Sequence, residues 1–205
     1  MAISRFSDSS IQDGIPKYDS IWDGTTAVGS MDSLGVVLLS SSQSSITFSN
    51  IPQTYSHLQI RISGKTVATA LEQYNPRIRF NSDTGSNYTL HFFRGYGTTV
   101  DKGASTSQTA GWAGVSAFPS SNAAYANMFG TSVVDIIDYT NTFKNKSIKT
   151  IGGFEANGAG NNNNEAGQIF FASSLWMSTS AITSITIYSD SDFAQNSNFT
   201  LYGIK

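Results

Sequence analysis

The chain of 205 residues contains no cysteine and two histidines, His57 and His91. The first absence excludes disulfides, zinc–thiolate sites and thiol nucleophiles together. The second leaves almost nothing from which to build a histidine metal cage or a Ser–His–Asp triad. Charged residues make up 13 %, about half the roughly 25 % of an average soluble domain. The formal net charge is −2, so there is no cation surplus of the kind that binds nucleic acid by counterion release. No apolar run approaches the roughly 18 residues of a membrane-spanning helix. The N-terminus, MAISRFSDSS, lacks the apolar core of a secretory signal. These shortages argue against an enzyme, a metalloprotein, a cofactor carrier, a nucleic-acid binder and a membrane protein.

What is present is Ser, Thr, Asn and Gly (18 glycines), with 12 % aromatics. Ile, Val, Thr, Phe and Tyr recur in short runs, and no window keeps a helical apolar spacing without interruption. The nearest helical candidate, Thr66 to Tyr74, stops at Asn75–Pro76 and is equally readable as a loop. Strands are clearer. In His57 to Ser63, residues Leu58, Ile60 and Ile62 alternate with His57, Gln59, Arg61 and Ser63. This gives one dry and one wet face. Ile46 and Phe48, Ile78 and Phe80, then Tyr88, Leu90 and Phe92 repeat the pattern. Between the last two sets, Asn81 to Asn87 supplies turn residues. Further strands are expected at Val36–Leu39, Thr131–Tyr139, Ser147–Phe154, Gln168–Met177, Ile182–Tyr188 and Phe199–Ile204. About ten short strands with one apolar face each predict an all-β fold, an antiparallel, jelly-roll-like β-sandwich over residues 31–205. Its core should hold Leu58, Ile60, Ile62, Ile78, Phe80, Leu90, Ile185, Ile187, Phe199 and Leu201.

Three segments depart from the pattern. Residues 1–30 carry apolar side chains singly, without strand or helix period, and cannot build a core of their own. Leaving Phe6, Tyr18 and Trp22 in water costs about 1.5–3 kcal/mol each. An extended anchoring arm is therefore expected, with Phe6, Ile15, Pro16, Tyr18, Ile21 and Trp22 inserting into a partner. Pro16 favours extended backbone at Ile15, and Tyr and Trp are frequent interface anchors. Folding back over its own domain is the alternative. Gly95 to Asn122 reads as a long small-residue loop of the length that in compact domains is functional or disordered. Tyr96, Trp112, Phe118 and Tyr125, in or beside it, are candidates for a subunit contact, for stacking on sugar rings, or for internal packing. Ala156 to Glu165, with four consecutive asparagines, reads as a solvated turn.

Carboxylate spacings give little. Asp135 and Asp138 lie three apart, which puts them on opposite faces of a strand. Asn81, Asp83, Gly85 and Asn87 resemble the start of a calcium loop but lack its terminal bidentate glutamate. No nucleophile elbow or nucleotide-binding glycine spacing is present.

Three stretches resemble a known family. SRFSDSSIQDGIPKYDSIWDG, Ser4 to Gly24, resembles a leader shared by virion structural proteins of cyanobacterial and other marine tailed phages. SSITFSNIPQTYSHLQIRISGKT (Ser44 to Thr66) with IRFNSDTGSNYTLHFF (Ile78 to Phe93), and the closing SLWMSTSAITSITIYSDSDFAQNSNFTLYGIK (Ser174 to Lys205), resemble a β-sandwich module of phage tail and appendage proteins. The resemblance implies a virion component: a tail, fibre or capsid-surface protein without catalytic residues or cofactor. It also implies a homo-oligomer, with a trimer favoured, attached to other virion proteins through its arm. A host-surface glycan is the alternative partner, through residues 95–122.

Overall fold

A computed structural model describes residues 30–156 and 167–205. Among them fourteen strands run in chain order. They are β1 Met31–Leu38, β2 Gln43–Phe48, β3 His57–Gly64, β4 Gln73–Tyr74, β5 Arg77–Phe80, β6 Tyr88–Tyr96 and β7 Thr99–Gln108. There follow β8 Gly111–Trp112, β9 Phe118–Pro119, β10 Gly130–Ile136, β11 Lys146–Glu155, β12 Gly167–Trp176, β13 Ile185–Phe193 and β14 Asn198–Ile204. Every pairing is antiparallel. The eight-stranded sheet has the order β1-β14-β3-β10-β11-β12-β6-β7, and the four-stranded sheet β2-β13-β5-β8 lies against it. A short β4-β9 pair completes the set. The chain is thus an all-β antiparallel sandwich.

The core forms because alternate residues of both sheets point into the same space. All ten residues expected inside are buried, Leu58, Ile60, Ile78, Phe80, Ile185, Ile187 and Phe199 with no exposed surface at all. Trp176 lies 5.4 Å from the Phe80 ring and stacks on Tyr88 at 6.3 Å, while Phe193 meets Phe199 at 4.9 Å. The indole N–H of Trp176 donates to Asp83 Oδ2 at 2.7 Å. Asp83 also accepts from the Gly85 amide and the Asn87 side chain. These bonds, the Trp176 bond first, hold its carboxyl below the usual range. The Asn81–Asn87 turn is therefore an internally satisfied structural loop.

Burial raises the Tyr88 phenol far above its ordinary value. The sign follows from proton counting. Above a pH of about 10 the unfolded chain releases this proton while the folded chain keeps it. Stability is thus full below about pH 10 and falls as pH rises further, by about 1.4 kcal/mol per pH unit for this group. Ionisation followed at 295 nm is expected to show Tyr88 titrating only together with unfolding. A buried-tyrosine transition preceding loss of the β signal would contradict this.

One expectation about local structure is corrected, and one open alternative is decided. Residues 95–122 are no long loop: Thr99–Gln108 is an edge strand, and β8 and β9 follow. The strand is invisible to hydrophobic periodicity because its inward positions are Asp101, Gly103 and Ser105. Small side chains are needed there, since a Cβ at Gly103 would sit 2.6 Å from the Phe92 ring. Residues 66–72 form no helical turn. They cross as a loop pinned by Thr66 bridging to Phe193, by Ser121 N–H donating to Ala68 O and by Asn122 Nδ2 donating to Thr69 O. The anchoring-arm residues Phe6, Ile15, Pro16, Tyr18, Ile21 and Trp22, and all but the first residue of the asparagine-rich turn, lie outside the described residues.

Candidate assembly surface

The four aromatic candidates do not converge. Phe118 is fully buried in the main core, 5.8 Å from Phe193. Tyr125 is fully buried in a separate small cluster, edge-on to Phe154 at 5.7 Å. Of the three roles left open for them, internal packing is the one these two occupy, because a ring inside the protein offers no face to a sugar. Tyr96 is half-buried at the end of β6 under the Arg94 guanidinium, 4.9 Å from its ring centre. Trp112 is half-buried between Phe92, at 5.2 Å, and the small sheet, where it pairs with Arg77.

Four carboxylates help to hold the sandwich together. Asp32 meets Lys205 and the Tyr55 hydroxyl, and the Lys205 contact depresses its carboxyl. Asp101 meets Arg94, Asp190 meets Arg77, and Asp138 meets Lys144, which holds it below the usual range. Asp138 follows β10 at a φ of 49°, turned away from Asp135, whose Oδ1 accepts from Gln59 at 2.8 Å. Among the described residues no group of three or more His, Cys, Asp or Glu is placed to hold a metal ion.

The unusual surface is the outer face of the large sheet. Register brings residues from distant parts of the chain into straight rows across it. One row runs Val36, Thr200, Arg61, Val133, Ile151, Phe171, Phe93, Lys102. The next runs Leu38, Asn198, Ser63, Thr131, Gly153, Ile169, Gly95, Val100. Where they cross β11, β12, β6 and β7 the face is apolar and open. Ile169 is 66 % exposed, Phe93 55 %, Ile151 50 % and Phe171 38 %. The Phe93 and Phe171 rings meet at 5.8 Å. With Ile169 and Ile151 they line a shallow hollow of about 340 Å³.

Glycine shapes this relief. Ile169 is flanked by Gly153 on one strand and Gly95 on the other, so no side chain stands beside it in its row. Gly153 is required by a close backbone approach: a Cβ there would lie 2.0 Å from Gln168 O. A second recess, of about 390 Å³, opens beside it between Thr131, Gly153, Glu155 and Ile169. The third row, Gln59, Asp135, Lys149, Ser173, His91, is polar and bounds the strip.

None of the strip residues was a sequence candidate for function. The available signal was local: Ile169-Phe170-Phe171-Ala172 and Phe92-Phe93 are apolar at consecutive positions, as in a strand with both faces covered. Soluble monomers rarely expose large contiguous apolar patches, and such patches mark interaction surfaces.

The chain matches no protein-family model, and comparison with curated proteins and with solved structures finds no match. Fold and surface together define an antiparallel β-sandwich whose larger sheet carries an apolar outer strip.

Proposed function

We propose that the chain is a non-enzymatic structural subunit of a tailed-phage virion, in the tail, a fibre or a capsid-surface appendage. It assembles as a homo-oligomer, a trimer by preference, and attaches to other virion proteins through residues 1–30. The observation that carries the structural role is the strip of Ile151, Phe171, Phe93 and Ile169, an apolar face on a sandwich whose Asp32, Asp101, Asp138 and Asp190 carboxylates are tied up in internal contacts. The virion assignment rests on the resemblance of Ser4–Gly24 and of the sandwich stretches to phage structural proteins. Closed rotational symmetry covers identical apolar patches without open-ended growth. Electron microscopy of purified particles, with a label on this chain, is expected to place it on every virion; particles that lack it overturn the proposal.

A second reading is recognition of a host-surface glycan. It draws on the small sheet, where Tyr188 pairs with Arg77 and Arg79 lies 4.4 Å over the Tyr188 ring. Ring faces beside planar charged groups suit sugars. Glycan-array binding that is lost in Tyr188→Ala would favour it.

A further inference from the structure

We infer that the apolar strip on the outer face of the large sheet is the seat for residues 6–22 of a neighbouring copy of the same chain. The inference rests on the proposed homo-oligomer, names what covers the strip, and assigns residues 6–22 to a neighbouring copy in place of another virion protein.

The occupant is indicated first by chemistry. The strip offers Ile151, Phe171, Phe93 and Ile169 around one hollow, with a second recess beside Ile169 at Gly153. These are sockets for large flat or branched side chains. Residues 6–22 supply Phe6, Ile11, Ile15, Tyr18, Ile21 and Trp22 singly spaced. Charge agrees. The strip is bordered by Lys102 and Lys149, both exposed and neither in an ion pair among the described residues, against the single exposed carboxylate of Glu155 in the recess beside Ile169. The N-terminal segment carries Asp8, Asp13, Asp19 and Asp23 against Arg5 and Lys17.

Its source is indicated by where the described chain begins. Strand pairing persists to Ser30, whose carbonyl accepts from the Lys205 amide at 3.2 Å. Met31 pairs with Ile204, which pairs with His57. The chain therefore enters β1 at the His57 end of the sheet. The strip lies toward the opposite end and five strands away, about 24 Å across the sheet. To reach it within one molecule the chain must reverse at Ser30 and cross the polar positions Thr200, Arg61 and Gln59. Continued in the direction in which it leaves β1, it runs off the end of its own sheet toward a neighbour. Tyr18 is twelve residues before Ser30, a reach of up to about 40 Å. Each copy then gives one segment and receives one. Such a head-to-tail contact closes into a ring when its rotation permits.

Because the chain contains no cysteine, disulfide trapping tests this cleanly. Full-length Tyr18→Cys and a size-tagged full-length Ile169→Cys are mixed, allowed to exchange and oxidised. The expected product is a covalent heterodimer approaching about half of the chains, the limit set by random exchange of the two variants around a closed ring, with an unpaired control of Tyr18→Cys and tagged Ser173→Cys trapping far less. The double variant Tyr18→Cys/Ile169→Cys should give covalent ladders. A fast-migrating, internally bridged monomer from it overturns the inference in favour of folding back. Absence of any specific bridge, repeated with Trp22→Cys, also overturns it. Labelled particles separate the two proposals: a chain present on virions without this bridge removes only the seat, whereas a chain absent from virions removes the virion assignment.

Discussion

Replacing Lys146 by methionine is expected to destabilise the sandwich by about 3 kcal/mol, although no charged partner is lost. Lys146 has no exposed surface. Its ammonium donates to three backbone carbonyls: Asn141 O, Lys144 O at 3.0 Å and Thr179 O at 3.1 Å. The first two belong to the β10–β11 connection and the third to the β12–β13 connection, so one cation ties two loops to the start of β11. Burial, and to a lesser degree the nearby Lys144, pushes its pKa below the ordinary lysine value. The arrangement persists because all three donor hydrogens find acceptors. Methionine keeps the apolar stem and removes every donor. A carbonyl left buried without a partner costs about 1–3 kcal/mol, and part of three such costs is recovered by not burying a charge. For a domain of this size the expected fall in Tm is about 6–12 °C. Thermal unfolding followed by circular dichroism measures it. Arginine should not rescue, since a planar guanidinium does not reproduce three bonds from one nitrogen. A Tm within about 2 °C of the parent would mean that water replaces the ammonium without loss.

The second large effect is on association. The double substitution Phe93→Lys/Ile169→Lys is expected to leave the fold intact and to weaken self-association about a thousandfold. Both side chains are more than half exposed, and surface changes of this kind move stability by about 0.5 kcal/mol or less. At an interface each side chain contributes about 1.5–3 kcal/mol by leaving water. The loss of two is about 4 kcal/mol, which is about three decades in Kd. Sedimentation velocity across a concentration series should show the parent assembling and the variant remaining a monomer. An unchanged mass distribution would place the self-contact elsewhere on the sandwich.

How much of this was legible beforehand depended on the distance over which a signal acts. Leu58, Ile60 and Ile62 announce their strand because a period of two within seven residues already separates a dry face from a wet one. The same local rule placed Ile78, Phe80, Leu90, Ile185, Ile187, Phe199 and Leu201, all of which are buried. It failed at Thr99–Gln108. There the inward face is Asp101, Gly103 and Ser105, and smallness is imposed by the Phe92 ring of another strand. Nor could it choose between surface contact and internal packing for Phe118 and Tyr125, lone aromatics beside small residues that are both fully buried. Phe118 packs over Gly64, where a Cβ would lie 2.5 Å from its ring.

The amino-acid pattern alone determined the all-β class, the antiparallel character and the two-faced strands, because each follows from residues within one turn or one strand of each other. It also set the shortage of thiol and imidazole chemistry, which is a matter of counting. Only the tertiary structure decided that Ile151, Ile169, Phe171 and Phe93 meet. They sit on three strands, and their adjacency exists only through the pairing of Ile151 with Phe171 and of Phe171 with Phe93. A shift of one residue in either register would turn the apolar outer positions inward. Local sequence sets which side chains share a face of one strand. The long-range register that aligns those faces into a surface is settled by packing the whole core at once.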